Sequence, residues 1–94
     1  MIKSFADKET EKIYNQEFSK KFPAEIQETA LRKLIMIDNA ASLNDLKVPP
    51  GNHLEKLSGN HERQHSIRIN TKYRICFKDE KGDFMDVEIT DYHK

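Results

Sequence analysis

An alternating stretch at residues 64–77, QHSIRINTKYRICF, constrains the fold more than any other part of the sequence. Apolar residues recur at every second position on both sides of residues 70–72, a pattern typical of two half-buried strands. The stretch therefore predicts a β-hairpin with its turn at residues 70–72. If the odd-numbered residues face the core, the opposite face carries Arg68, Arg74 and Lys78. Such a face is most often solvated, although neighbouring guanidinium groups also suit a phosphate.

Charge is unevenly distributed along this chain of 94 residues, although the formal net charge is zero. Residues 51–78 contain six Lys/Arg and two Asp/Glu, whereas residues 79–94 contain two Lys/Arg and six Asp/Glu. The neutral total argues against nonspecific coating of nucleic acid, but a local basic segment can bind a polyanion. We expect a soluble cytoplasmic protein. The reasons are that Cys76 is the single cysteine, that the chain is charged from its third residue, and that no apolar run has the ~20 residues of a membrane span.

Two amphipathic helices are predicted upstream of the hairpin. Asp7 suits the N-cap of a helix from Lys8 to about Phe18, and residues 2–5 before it have the character of a short strand. A second helix opens at Pro23 and ends near residues 38–39. Its predicted buried stripe, widened by the last two members, is Ile26, Ala30, Leu34, Ile37, Leu31 and Ile35.

The second half of the chain predicts a long loop followed by a meander of strands. Residues 47–52 include two prolines and a glycine, so they are not expected to form a helix or a central strand, and residues 47–62 are mostly loop. A turn at 79–83 leads to a last strand over residues 84–90, with Met85, Val87 and Ile89 inward. The order β-α-α-β-β-β predicts one α+β domain over residues 1–94. Both helices then pack on one face of an antiparallel sheet.

Five segments of the chain carry a further pattern: MIKSF at 1–5, PPGN-x-LE-x-LSG-N at 49–60, QHSIRIN at 64–70, YRICF at 73–77 and VEI-x-DYH at 87–93. In this order and spacing they resemble the HigB-type toxins of the RelE/ParE superfamily. The resemblance implies a ribosome-dependent mRNA endonuclease that needs no metal and no organic cofactor. The implied partners are the ribosomal A site with its message and a HigA-type helix-turn-helix antitoxin. The resemblance implies that the toxin contacts operator DNA only through this antitoxin. No membrane partner is expected.

The resemblance also assigns chemistry to individual residues. Arg74 resembles the family's phosphate-stabilising arginine, while Asp91, Tyr92 and His93 match positions with catalytic or RNA-binding roles. Metal-free cleavage can use the 2′-OH as nucleophile, with a base, an acid and cations around the phosphate. His93 can serve as acid or base because histidine titrates near neutral pH. The predicted RNA-binding residues are Arg68, Lys56, His53, His65 and Lys78.

This chain differs from some members of the family at two loop positions. Those members have a histidine and a lysine where this chain has Glu55 and Ser58. Either His53 or Lys56 can fill the gap, or Glu55 can act as the base, so the general base and general acid stay unassigned. Two other activities also remain open: a ParE-like inhibitor of DNA gyrase that cuts nothing, and an inactive toxin that only binds its antitoxin. The DYH end of the chain favours the nuclease.

Overall fold

The structure, a computed structural model, describes residues 1–57 and 64–91. Within them, two helices precede a four-stranded antiparallel sheet of order β1-β2-β3-β4, which confirms the predicted α+β class. No helix in these residues is long and apolar enough to cross a lipid bilayer. The elements are α1 (Lys8–Tyr14), α2 (Ala24–Asn39), β1 (Glu55–Lys56), β2 (Gln64–Arg68), β3 (Tyr73–Glu80) and β4 (Asp83–Asp91).

Helix α2 covers the apolar face of the sheet, as the spacing of its hydrophobic residues predicts. The four residues of its central stripe are buried: Ile26, Ala30, Leu34 and Ile37. Leu31 is half-buried against this core, but Ile35 is 44% exposed, so the predicted widening of the stripe is wrong at Ile35. Ile35 lies about 100° round the helix from Leu34, which turns it away from the sheet.

Helix α1 begins as predicted but ends earlier. The Asp7 side chain accepts a hydrogen bond from the Thr10 backbone N–H at 2.7 Å, which caps the first turn. The helix ends at Tyr14 instead of near Phe18, and the chain leaves it through Gln16, whose φ is 65°. Phe18 is consequently 64% exposed. The buried hydroxyl of Thr10 accepts a hydrogen bond from the Ile89 N–H of β4 at 2.9 Å, which fixes α1 to the sheet.

The predicted strand at residues 2–5 lies parallel to β4 along its outer edge. Four backbone hydrogen bonds hold it there. The Lys3 N–H donates to the Phe84 carbonyl at 2.8 Å and the Ala6 N–H to the Val87 carbonyl at 2.9 Å, while the N–H groups of Phe84 and Val87 donate to the carbonyls of Met1 and Ser4 at 2.9 Å and 3.0 Å. Between them, Ser4 Oγ accepts a hydrogen bond from the Asp86 N–H at 2.9 Å. The start of the chain therefore extends the sheet on its β4 side.

A β-bulge in β4 corrects the prediction that Met85 points inward. The register between β3 and β4 shifts by one residue between Cys76 and Lys78, because β4 contains one residue more than β3 over this stretch. Asp86, which follows Met85, takes a left-handed conformation with φ 52°. Phe84 is fully buried in place of Met85, which is only half-buried. The inward residues of β4 are thus Phe84, Val87 and Ile89.

The segment before the hairpin contains more regular secondary structure than the predicted loop. It contains two 3-10 helices, Leu43–Lys47 and Pro50–Asn52, and then strand β1, which pairs antiparallel with β2. The expectation that the prolines exclude any helical turn is wrong for residues 50–52. Pro50 occupies the first helical position, where its missing N–H has no partner to lose.

The buried side chain of Asn52 anchors this segment to α2. Its amide donates to the Leu46 carbonyl at 3.1 Å, and its oxygen accepts a hydrogen bond from Lys33 Nζ. Burial lowers the pKa of the Lys33 ammonium group. The Asn52 side chain therefore joins α2 and the first 3-10 helix to the segment that leads to β1.

The β3–β4 turn requires glycine at position 82. Lys81 and Gly82 have φ values of 56° and 94°, the type I′ pattern that matches the twist of paired strands. A Cβ atom on Gly82 would also lie 2.5 Å from the Ala41 carbonyl oxygen. Both the conformation and the close approach therefore exclude a side chain.

We predict that Gly82→Ala lowers the free energy of unfolding by about 1–3 kcal/mol, because alanine is strained at this φ and must displace a backbone carbonyl. Gly51→Ala is the matched control, since a Cβ at Gly51 meets no atom within 4 Å; its effect should stay within about 0.5 kcal/mol. Urea unfolding of the three proteins measures both values. Equal stability of the two variants would contradict the prediction.

Candidate active site

Arg74 lies in β3 on the sheet face opposite the helices, where its side chain is buried. Its Nε donates to Ser66 Oγ at 2.8 Å, and its Nη2 donates to the backbone carbonyls of His53 and, at 3.3 Å, Ser66. Ser66 is itself fully buried on the neighbouring strand. These contacts fix both the position and the plane of the guanidinium group.

The burial of Arg74 shows that the basic strand face is covered at this residue. The segment that follows residues 50–52 folds back over this face and presents the His53 carbonyl to the guanidinium group. His53 takes a left-handed conformation with φ 44°, and its side chain is exposed. Arg74 therefore has a structural role in holding this segment against the sheet, besides any role in binding RNA.

Arg68 lies directly beside Arg74 on the adjacent strand. The two residues are paired across β2 and β3, and Arg68 Nε donates to the Asn70 carbonyl at 3.1 Å. Together with Asn70 and Thr71 they line a shallow pocket of about 230 Å³. Like charges directly opposite each other repel, and an anion between them relieves this repulsion. Two guanidinium groups on one pocket wall make it suited to a phosphate.

Glu55 is the acidic residue next to this pair. In β1 it pairs with Ser66 of β2, so its side chain lies on the same sheet face as Arg74. A carboxylate oxygen of Glu55 is 3.8 Å from Arg74 Nη1, and the Glu55 side chain is 54% exposed. A carboxylate accessible to solvent thus borders the buried arginine.

Lys56 and His65, two of the predicted RNA-binding residues, lie away from Arg74. They pair with each other across β1 and β2, and His65 pairs with the core residue Phe77, so both lie on the helix-covered side at the edge of the sheet. The His65 ring stacks on Phe77 with centroids 6.3 Å apart, and burial lowers the pKa of His65. Because side chains alternate along a strand, residues 56 and 65 cannot share a face with residue 74 in this register.

The remaining predicted residues are also dispersed. Lys78 lies on the face of Arg74 but forms an ion pair with Asp86 at 3.2 Å. Asp91 pairs with Tyr73, which places it on the other face, and its carboxylate is 3.7 Å from Lys72 Nζ. Tyr92 and His93 lie outside the described residues, so their assigned roles stay predictions.

Ser66 is a site residue that reasoning from the sequence did not identify. The sequence feature that could have identified Ser66 is its even-numbered position, two residues before Arg68 on the polar strand face. Cys76 on the same face is buried, and this burial raises the pKa of its thiol. Among residues 1–57 and 64–91, no cluster of three or more His, Cys, Asp or Glu side chains is arranged to hold a metal ion.

Comparison with protein families matches residues 3–93 to the HigB-like toxins, described as "RelE-like toxin of type II toxin-antitoxin system HigB". The chain belongs to this family. Toxin HigB-1 of Vibrio cholerae serotype O1 is 38% identical over 79 residues, which cover 83% of each chain. An uncharacterized protein of Haemophilus influenzae is 40% identical over 63 residues, or 67% of this chain and 62% of that one. As a HigB-type toxin of a type II system, the protein has an antitoxin as its partner.

Because Arg74 is buried and hydrogen-bonded, its removal should destabilise the fold more than the removal of a solvated arginine would. We expect Arg74→Ala to lower the free energy of unfolding by about 2–3 kcal/mol, because it leaves Ser66 Oγ and the His53 carbonyl without their charged donor. Arg68→Ala is the matched control on the paired strand. Since Arg68 is half-buried and bonded to one carbonyl, its loss should cost less than about 1 kcal/mol. Chemical denaturation distinguishes the two, and an Arg74→Ala variant as stable as Arg68→Ala would refute the structural role.

Proposed function

We propose that this HigB-like toxin is a ribosome-dependent endoribonuclease that cuts messenger RNA without a metal ion, and that a HigA-type antitoxin neutralises it. The observation that supports this proposal is the Arg68–Arg74 pair, in which one guanidinium group is fixed by Ser66 and His53. Fixed cations reduce the barrier of phosphoryl chemistry because they need no reorganisation as charge develops. The toxin meets operator DNA only through its antitoxin.

The proposed role of each side chain follows from its chemistry. Arg74 and Arg68 bind the scissile phosphate and stabilise the charge that accumulates on its oxygens during attack by the 2′-OH. Tyr92 stacks a base or donates to the phosphate, and His93 exchanges a proton, roles that come from the family resemblance. Asp91 lies on the opposite face, so its proposed contribution is to the placement of the chain end that follows it.

Dependence on the ribosome is proposed from the charge balance. The basic segment at residues 51–78 carries an excess of four positive charges on a chain with no net charge. Salt at physiological concentration screens such contacts, so the segment alone gives weak binding to free RNA. The ribosome supplies the message in an ordered form and at high local concentration.

We predict that the purified protein leaves naked message intact and cleaves the same message on translating ribosomes. Arg74→Lys is the matched variant, because it keeps the positive charge but loses the planar fork of donors. Its cleavage rate on ribosomes should fall about 100-fold. Primer extension maps the cuts, and thermal unfolding confirms that the variant is folded. Rapid cleavage of naked message would contradict the ribosome dependence, and inhibition of DNA gyrase without any cleavage would favour the ParE-like activity.

A second prediction concerns the end of the chain. A protein truncated after Asp91 keeps every buried core residue of the described chain, the last of which is Ile89. It should therefore fold and bind the antitoxin, but it should no longer cut message on ribosomes, since Tyr92 and His93 are absent. Deletion of Lys94 alone is the control and should leave cleavage unchanged. A truncated protein that cleaves at the full rate would place the acid and base elsewhere in the chain.

A further inference from the structure

We infer that Asn52 is a positioning residue for cleavage, an assignment that rests on the proposed nuclease function. It acts through the backbone carbonyl of His53, which accepts a hydrogen bond from Arg74 Nη2. Because the Asn52 side chain is fully buried, it does not contact the message itself. Its effect on the reaction is to fix the plane of the Arg74 guanidinium group.

The Asn52 side chain is held at both of its polar ends. Its oxygen accepts a hydrogen bond from Lys33 Nζ of α2, and its Nδ2 donates to the carbonyls of Leu46 at 3.1 Å and Val48 at 3.3 Å. The sulfur of Met36, one turn further along α2, is 3.1 Å from the same nitrogen. Asparagine suits this site because its amide combines an acceptor for the cation with donors for the carbonyls.

The backbone around Asn52 leaves little freedom to the His53 carbonyl. The His53 N–H donates to the Pro50 carbonyl at 3.0 Å, which closes the second 3-10 helix. His53 itself takes the left-handed φ of 44°. Two residues later, Glu55 is paired with β2. The carbonyl therefore lies between a buried side-chain anchor and a paired strand, and both restrict its position.

The His53 carbonyl restrains the rotation of the Arg74 guanidinium group. Ser66 Oγ accepts from Nε at 2.8 Å, but the Ser66 carbonyl is 3.3 Å from Nη2, which is a long contact. The His53 carbonyl is consequently the stronger restraint on rotation about the bond from Nε to Cζ. A guanidinium group that rotates no longer presents its planar fork of donors to a phosphate in one orientation.

A purely structural role for Asn52 predicts a different result from a positioning role. Loss of stability alone would lower the fraction of folded protein and leave Arg74 unchanged in the molecules that remain folded. Loss of positioning would loosen the Arg74 side chain in folded molecules and lower the rate constant of cleavage in the bound complex.

Two variants remove the contacts of Asn52 from opposite sides. Asn52→Asp keeps the shape of the side chain, but an ionised carboxylate has no donor for the carbonyls that it faces. Lys33→Met keeps an unbranched side chain and removes the donor to Asn52. Asn44→Asp and Lys47→Met are the matched controls, because they make the same changes at exposed positions of the preceding segment. Circular dichroism melts establish folding, and Lys33→Met carries the test if Asn52→Asp unfolds.

Nitrogen-15 NMR of the Arg74 side chain measures the restraint without a ribosome. The signals are assigned by their absence from the spectrum of Arg74→Lys. We expect rotation about the bond from Nε to Cζ to be about tenfold faster in Asn52→Asp than in the parent, the factor that corresponds to one lost hydrogen bond of a charged group. Lys33→Met should change in the same direction, and both controls should match the parent.

Single-turnover cleavage on programmed ribosomes measures the consequence for the reaction. The maximal rate of Asn52→Asp should fall about 30-fold, because a small misplacement of a catalytic group is costly. The toxin concentration that gives half of the maximal rate should stay unchanged, since the variant retains the surface that binds the ribosome. Both controls should cleave at the parent rate.

The two measurements separate this inference from the proposed function. Unchanged rotation of Arg74 in Asn52→Asp and Lys33→Met, or unchanged cleavage despite faster rotation, would overturn the inference and leave the nuclease proposal intact. Absence of cleavage by the parent protein would overturn the nuclease proposal and, with it, the role of Asn52 in cleavage.

Discussion

One buried cation connects β2, β3 and the segment that precedes β1. The guanidinium group of Arg74 joins β3 to Ser66 of β2 and to the His53 carbonyl of the segment before β1. A buried charge is costly unless its hydrogen bonds are made, so the fold must supply these acceptors whenever it forms. The same contacts hold the guanidinium group in one orientation beside Arg68. Variants at position 74 should therefore be assessed for stability as well as for the proposed cleavage.

The two faces of the sheet differ in the residues that they carry. Helices α1 and α2 lie on the apolar face, where Ile67, Ile75 and Phe77 form the core with the stripe of α2. Arg68 and Arg74 lie on the other face, bordered by Glu55. Apolar residues are thus concentrated on one face of the sheet and charged residues on the other. It also explains why Lys56, His65 and Asp91, which register places with the apolar face, are remote from the arginine pair.

Local patterns predicted the elements well, because they are decided by near neighbours in sequence. The hairpin turn at residues 70–72, the Asp7 cap and the stripe of α2 all follow from spacing or from a short-range hydrogen bond. Two of the corrections depend on distant contacts. The bulge at Asp86 is matched to Ser4, and the burial of Arg74 depends on His53, 21 positions away in sequence. Neither the alternation of apolar residues nor the composition of the chain indicates which residues far apart in sequence come into contact. Residues 92–93 were assigned from family resemblance, which stays a prediction.

The parallel pairing of residues 2–5 with β4 has a consequence for how the toxin is made. Ile2 is bridged to Phe84 and Phe5 to Val87, so the backbone groups of residues 2–5 are paired with the sheet only once β4 has been synthesised. Contacts of such long sequence separation form late in folding. The sheet is therefore complete only after β4 has left the exit tunnel. A chain in which β4 has not yet formed therefore leaves the backbone groups of residues 2–5 without their partners in the sheet.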